Sequence, residues 1–375
     1  MKIVLTGGGS GGHFYPLIAV AEELRNLKKE QKVREMELYF FSSTPYDEDE
    51  LHRLAIKFRH IYAGKLRVYF SLWNLRDAFM MVLGIFQALW KIFVVYPDAV
   101  FTKGGYAAFP VVVAAGVLRI PIIMHESDTV SGRVNRITAR LATYIYTAFE
   151  QAKQQFPDKE VCAVGLPIRE KIKHPQTEGA REYLHLKDDK PVLVVLCGSQ
   201  GAEKINDLIV AILPDLVKDF YIIHQTGVNN FTAVQRAANF VLSDSSDAER
   251  YKPFDFLDSR GIQMSAGLAD LIISRSGSSL FEIAAWGVPS ILIPLPHSHG
   301  QHQLYNAMAY QKSGACLVIE EDNLTPSVFK RELEELMKDR ARLQEMSKAA
   351  LEFHRDDAAR KIAETLVKIG EEHEE

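Results

Sequence analysis

The chain has 375 residues, of which 47% are apolar, 25% charged and 10% aromatic, enough for two α/β-sized cores and unlike disordered, collagenous or coiled-coil chains. A formal net charge of -4, from 44 basic and 48 acidic residues, supplies no global field for nucleic acid, so any bound anion must be held locally. Cys162, Cys197 and Cys316 form no CxxC pair and are odd in number, which supports neither a disulfide framework nor a cysteine zinc site and fits a reducing, cytosolic compartment.

The chain opens on the apolar strand KIVLT and runs directly into GGGSGGH, Gly7 to His13. This start has neither the long apolar region nor the cleavage site of a secretory signal, so no export is expected. The glycines precede an amphipathic helix carrying Leu17, Val20, Ala21 and Leu24. Such a corner lets backbone N–H groups and a positive helix end approach a phosphate. A dinucleotide site would also want an acidic residue at the tip of the second strand, but ELYFFSST ends in serines and threonine, which removes the main support for that reading. Asp47-Glu48-Asp49 spells the acidic triplet of metal-dependent transferases, yet its DEDE setting reads as a solvated helical face.

The most apolar stretch, Ala78 to Tyr96, contains Gln87 and Lys91 and follows Arg76 and Asp77, so it is not read as a membrane span. The surrounding run WNLRDAFMMVLGIFQALWKIFVVY is apolar around nearly its whole helical circumference, which leaves two readings, a buried helix or one that touches lipid. In the second, Phe79, Met80, Phe86 and Trp90 meet the bilayer, and Lys57, Arg59, Lys65, Arg67, Arg76 and Lys91 form a basic collar for anionic head groups.

A second glycine corner, Thr102-Lys103-Gly104-Gly105-Tyr106, follows the strand DAVF, and His125-Glu126-Ser127-Asp128 ends the strand PIIMHE. After YIYTAF, the segment Gly165-Leu166-Pro167-Ile168-Arg169 marks the expected crossing into a second domain. Near residue 190 the rhythm restarts with PVLVVLCGS and a third corner, Gly198-Ser199-Gln200-Gly201, followed by FYIIHQTG, ADLIISR and PSILIPL. Strands alternating with helical stretches predict parallel sheets, and the restart predicts two doubly wound domains. Expected bounds are 1–167 and 168–345, with 346–375 returning as a helix to the first domain.

Within the second domain Ser276, Gly277, Ser278 and Ser279 begin a helix, and Glu282 follows in its first turns. That carboxylate reads either as a capping acid or as a bidentate acceptor for two ribose hydroxyls. Gln301, His302, Gln303 and Asn306 open another helix, where amide and imidazole groups can read sugar hydroxyls. His297, His299 and His302 contain no i, i+4 pair, so no metal is expected. Trp286 is assigned to packing.

The set GGGSGGHFYP, FTKGGYAAFPVVVAA, HESD, GLPIR, GSQGAEKIN, RSGSSLFEIAAWGVPSILIP and HQLYNA, in this order, is similar to the MurG family of peptidoglycan glycosyltransferases, over nearly the whole chain. The resemblance implies a GT-B architecture, two Rossmann-like domains with a deep interdomain cleft. It implies an inverting transfer of N-acetylglucosamine from UDP-GlcNAc to the muramoyl 4-hydroxyl of undecaprenyl-pyrophosphoryl-MurNAc-pentapeptide (lipid I), giving lipid II. Carried over by position, Glu282 becomes the ribose ligand and Ser279 a diphosphate neighbour. Ser199, Gln200 and Gly201 become the diphosphate and uridine loop, Arg169 a cation for the donor phosphates, and His302 with Gln303 the sugar contacts. Gly9, Ser10, Gly11 and Gly12, with Gly104, Gly105 and Tyr106, are expected at the acceptor pyrophosphate.

His13 is the leading candidate base, against the alternative that it only orients the pyrophosphate or caps the loop. Asp128 is the alternative base. The chain departs from the family pattern at Asp128 and Leu166, where asparagine is common, and at His302, where glutamine is common. An ionised aspartate can only accept hydrogen bonds, unlike asparagine. No cofactor is expected, UDP-GlcNAc being a substrate, and the expected place is the cytoplasmic face of the membrane, with an anionic inner-membrane surface and other cell-wall synthesis proteins as further partners. Competing readings are a GT-B transferase with another lipid or small-molecule acceptor and a non-catalytic nucleotide-sugar-binding protein at the site of cell-wall assembly.

Overall fold

Val192 to Leu196 offers no polar side chain to either face, so the strand needs cover on both sides of its sheet. The computed structural model, which describes residues 1–31, 35–64, 73–198, 200–296 and 298–374, meets this need twice. The chain divides into two compact units, Met1–Arg169 with Arg355–Glu375, and Glu170–His354. The crossings therefore fall two residues and nine residues later than the sequence pattern suggested. The later shift arises because the helix Arg340–Phe353 stays in the second unit, where Met346 joins its core, and Ala358–Glu374 alone returns to the first.

The first unit holds seven parallel strands, β1 (Lys2–Thr6), β2 (Glu37–Ser42), β3 (Ile56–His60), β4 (Ala99–Thr102), β5 (Ile122–Glu126), β6 (Tyr144–Thr147) and β7 (Val161–Ala163), in the order β3-β2-β1-β4-β5-β6-β7. Side chains alternate between two cores, as a period of two requires. Ile3, Leu5, Leu38 and Phe40 meet Phe14, Leu17 and Leu24 of the helix Gly11–Gln31 and Ile362 and Leu366 of Ala358–Glu374. Val4, Tyr39 and Phe41 face the other way, toward Ala88 and Ile92 of the helix Trp73–Val95 and Val111 and Val112 of Phe109–Val117. Each fully buried leucine or isoleucine here contributes about 1.5–3 kcal/mol of transfer free energy.

The second unit repeats the plan with β8 (Val192–Leu196), β9 (Tyr221–Gln225), β10 (Tyr251–Phe254), β11 (Leu271–Ser274), β12 (Ser290–Leu292) and β13 (Cys316–Val318), ordered β10-β9-β8-β11-β12-β13. Ile205, Ile209, Leu213 and Leu216 of the helix Glu203–Asp219 and Phe329, Leu333 and Leu336 of Pro326–Lys338 cover one face. In each sheet the strand order reverses between the first and fourth strands, and the carboxyl ends beside such a switch point are where open α/β sheets bind ligands. Both pairs at the switch points end in corners already singled out: β1 and β4 in Gly7–Gly12 and Lys103–Tyr106, β8 and β11 in Gly198–Gly201 and Ser276–Ser279.

Trp73–Val95 is long and apolar enough to cross a membrane by length and composition. One stripe, Met81, Gly84, Ala88 and Ile92, is buried. Gly84 is required there, since a Cβ would lie 1.9 Å from the Tyr62 carbonyl oxygen. The opposite face is open: Phe79, Phe86 and Trp90 are 62%, 66% and 69% exposed, which excludes the wholly buried reading. Met80 is half-buried.

Candidate functional site

Thr6 and Thr102 are partners at the ends of β1 and β4, so the two glycine corners of the first unit leave the sheet side by side. Gly8 and Gly9 take φ of 141° and 91°. A Cβ on Gly9 would stand 3.2 Å from the Tyr106 ring, and one on Gly105 would stand 3.4 Å from the His13 imidazole. The first loop, His13 and the second loop are thus one surface. Ser10 accepts from the backbone N–H of His13 and Phe14, closing the first helical turn. His13 Nδ1 lies 3.2 Å from the Gly8 carbonyl oxygen. A carbonyl can only accept, so this contact places a proton on Nδ1, and in the neutral ring the lone pair is then on Nε2.

Beneath the second corner lies a buried polar network. Lys103, 1% exposed, places its amine 2.5 Å from His125 Nδ1 and donates to Ser127 Oγ at 2.6 Å. His125 Nε2 faces the Gly165 carbonyl at 2.8 Å. Asn135 donates to Glu126 Oε2 at 2.8 Å and accepts from Gly105 N–H at 3.2 Å, while Asp128 N–H donates to Glu126 Oε1 at 3.1 Å. Burial disfavours each charged form. It pulls Lys103 down to about 7 against the opposing fields of Glu126 and Asp128. It holds His125 well below its usual range, helped by the Lys103 charge, and it raises Glu126, with the Asp128 charge adding to the effect.

Arg169, the last residue of the first unit's main segment, lays its guanidinium 3.8 Å over the Tyr15 ring and 3.7 Å from Glu50 Oε1. Burial drives the Tyr15 hydroxyl up to about 12, with Arg169 pulling the other way. Asp47 caps the short helix Glu48–Arg53, accepting from Glu50 N–H at 3.1 Å. The acidic triplet thus has a structural use. Among the described residues no group of three His, Cys, Asp or Glu side chains is placed to hold a metal.

In the second unit Gly201 (φ 80°) and Gly227 (φ 87°) pass backbone to backbone. A Cβ on Gly227 would come within 2.4 Å of Gly201 Cα, and one on Gly201 within 2.1 Å of Asn230 Nδ2. Gln200 is exposed and its carbonyl accepts from Asn230 Nδ2 at 3.3 Å. Asn206, under this loop, donates to the Thr226 carbonyl and accepts from His224 Nε2 at 3.0 Å, while Tyr251 OH lies 3.0 Å from His224 Nδ1. Burial pushes His224 down to about 3. Ser279 begins the helix Ser279–Trp286, with its hydroxyl 3.3 Å from Ser274 Oγ, and Glu282 lies half-buried in the first turn.

His302 and Gln303 begin the helix His302–Gln311, and Gln303 Oε1 accepts from Leu295 N–H at 3.0 Å. Asn306, 1% exposed, donates to the Ser276 carbonyl. Asn306 therefore anchors the Ser276 loop. Trp286 donates to the Ile172 carbonyl at 2.8 Å as a packed side chain. Ser199 and His297 lie outside the described residues, as do Lys65, Arg67 and the His299 side chain. Of the remaining basic collar, Lys57 pairs with Glu37 at 2.7 Å, Lys91 donates to the His60 carbonyl, and Arg59 and Arg76 are exposed.

The TKGGY and HESD motifs stand out in the sequence, but the tasks of Lys103, His125 and Glu126 do not, and Asn135 does not stand out at all. Nothing in RVNRIT marks that asparagine. Its role appears only when the helix Arg133–Thr138 brings it to Gly105, thirty residues earlier.

The glycosyltransferase family 28 N-terminal domain matches residues 3–147, and the glycosyltransferase family 28 C-terminal domain matches residues 192–364. A Bacillus cereus protein named UDP-N-acetylglucosamine–N-acetylmuramyl-(pentapeptide) pyrophosphoryl-undecaprenol N-acetylglucosamine transferase 2 is 33% identical over 93% of this chain and 94% of its own length. A Treponema denticola transferase of the same name, without the numeral, is 33% identical over 97% and 96%. The crystal structure of Acinetobacter baumannii MurG superposes with a TM-score of 0.74 at 25% identity, covering 98% of this chain and 99% of that one.

Proposed function

The chain belongs to glycosyltransferase family 28, and from this we infer that it transfers N-acetylglucosamine from UDP-GlcNAc to lipid I, forming lipid II for peptidoglycan. The observation that carries the reading is the 33% identity with transferases of that name over nearly the whole chain. The GT-B arrangement of two Rossmann-like domains follows from the same likeness.

Transfer with inversion needs the departing diphosphate stabilised, the 4-hydroxyl placed opposite it, and the hydroxyl proton removed. On the donor side Glu282 accepts the ribose hydroxyls. Ser279, Ser199 and Gln200 present donors to the diphosphate where Gly201 turns the loop, Arg169 supplies a cation to its phosphates, and His302 and Gln303 contact the sugar. On the acceptor side Gly9 to Gly12 direct backbone N–H groups at the lipid pyrophosphate, and Gly104, Gly105 and Tyr106 form the neighbouring wall of that corner. His13 takes the hydroxyl proton through Nε2, and Asp128 is the alternative base. The Nδ1 contact with Gly8 supports the first choice, because in the neutral ring it favours the tautomer whose Nε2 accepts a proton.

The acceptor is membrane-linked, and the protein docks peripherally on the inner face of the membrane. The open face of Trp73–Val95 enters the bilayer boundary, and Arg59 and Arg76 meet anionic head groups. Expression in a bacterium depleted of its own lipid II-forming transferase tests the whole reading. Growth should return, and a folded, membrane-recovered protein that leaves the cells unable to grow would contradict it.

A further inference from the structure

A lysine whose side chain is wholly enclosed is costly to fold, and an apolar residue of the same length would fill the space under the second glycine corner without that cost. Lys103 nonetheless occupies it, 1% exposed. Among the described residues its amine reaches groups at the end of β5 and just beyond, His125 Nδ1 at 2.5 Å and Ser127 Oγ at 2.6 Å. His125 is held by the Gly165 carbonyl on its other nitrogen, so it serves as a fixed acceptor. Ser127 adjoins Asp128, whose backbone N–H is tied to Glu126. One buried amine thus pins the segment that carries the alternative base.

Charge points the same way. Two carboxyl groups, Glu126 and Asp128, act on the one amine. Glu126 is fully enclosed and bonded to Asn135, whereas Asp128 is half-buried and closer to solvent. Of the two carboxyl groups, Asp128 is the one nearer solvent, and it is coupled by charge to the buried amine.

We propose that Lys103 is a positioning residue for the transfer reaction: its buried amine holds Ser127 and so keeps the adjoining Asp128 in place on the acceptor side of the first unit. The proposal rests on the transfer reading, and it adds that Lys103 acts through Asp128. The residue touches no substrate.

The test is a cycle of Lys103→Met, Asp128→Asn and the double variant in the full chain. It is read by kcat and KM for a lipid I analogue, by UDP affinity in calorimetry, and by thermal unfolding. Lys103→Met should lower kcat by roughly tenfold or more, with UDP affinity unchanged, and should lower the melting temperature. In the Asp128→Asn background the same substitution should cost little further kcat, and the double variant should melt above Lys103→Met. Equal losses of kcat in both backgrounds would overturn the proposal, as would a Lys103→Met variant with full turnover. If Lys103→Met does not fold, recovery of a cooperative transition in the double variant supports the charge coupling. A double variant that also fails to fold assigns Lys103 to packing and ends the proposal. Failure of the wild-type protein to make lipid II would instead end the transfer reading, and the stability coupling between Lys103 and Asp128 would still be measurable.

Discussion

Alanine at Gly104 is the smallest change that tests the acceptor corner. Gly104 has φ 74°, and a Cβ there would lie 1.8 Å from Asn135 Oδ1 and 2.4 Å from its Cγ. Asn135 is buried and cannot step aside without releasing both Gly105 N–H and Glu126 Oε2. The left-handed backbone costs a non-glycine residue about 1–2 kcal/mol. Loss of the Asn135 bond to a buried carboxyl group adds about 1.5–3 kcal/mol. Together they amount to about 3–5 kcal/mol, or a melting transition lower by roughly 10 °C for a unit of this size. The loss should be confined to the first unit, so calorimetric scans should show one transition moved and the other in place. Gly132→Ala is the reference, since Gly132 has φ -62° and no atom within 4 Å of where a Cβ would sit. Turnover with lipid I should fall while UDP affinity holds. A Gly104→Ala protein that melts with the reference and turns over normally would refute the reasoning.

On the donor side, Glu282→Ala should weaken UDP binding by on the order of 2 kcal/mol through loss of two ribose hydrogen bonds; unchanged affinity in calorimetry would remove Glu282 from the site. His224 carries a pH prediction. Its folded value, near 3, lies below the ordinary 6.5, so between those values the unfolded chain takes up a proton that the folded one refuses. Stability is therefore complete above pH 6.5 and falls with pH by up to about 5 kcal/mol. In NMR the His224 ring should remain neutral at pH 5, and titration near 6.5 would contradict the buried network. For the membrane face, Phe86→Glu and Trp90→Glu should leave thermal unfolding nearly unchanged, since both side chains are exposed, and should abolish flotation with anionic liposomes. Loss of folding in either variant, or undiminished flotation, would contradict docking through this helix.

Nine strands were legible as apolar runs, and all nine occupy the interior of the two sheets. The four that were not, β3, β7, β10 and β13, are the four sheet edges. Edge strands are covered on fewer sides, so their patterns mix: β3 carries Lys57, Arg59 and His60, and β10 tolerates Pro253 because among the described residues no strand pairs with its outer side. The glycine corners were legible because strand, glycine and helix follow one another locally, and their pairing at the switch points follows from strand order. The Lys103 network was not. Lysine in a loop reads as solvated, and the contacts that enclose it come from 22 and 24 residues away. The helix Trp73–Val95 left two readings open because composition states how apolar a helix is, whereas only its buried stripe of Met81, Gly84, Ala88 and Ile92 states which face is covered.

Sugar transfer itself is measured in a single-turnover reaction of the purified protein with UDP-GlcNAc labelled in the sugar and a lipid I analogue in detergent. Label should pass to the lipid in a β-linked disaccharide, with one UDP released per sugar moved and no transfer when the muramoyl 4-hydroxyl is absent. Release of UDP and free N-acetylglucosamine without labelled lipid, or equal transfer to the acceptor lacking that hydroxyl, would contradict it.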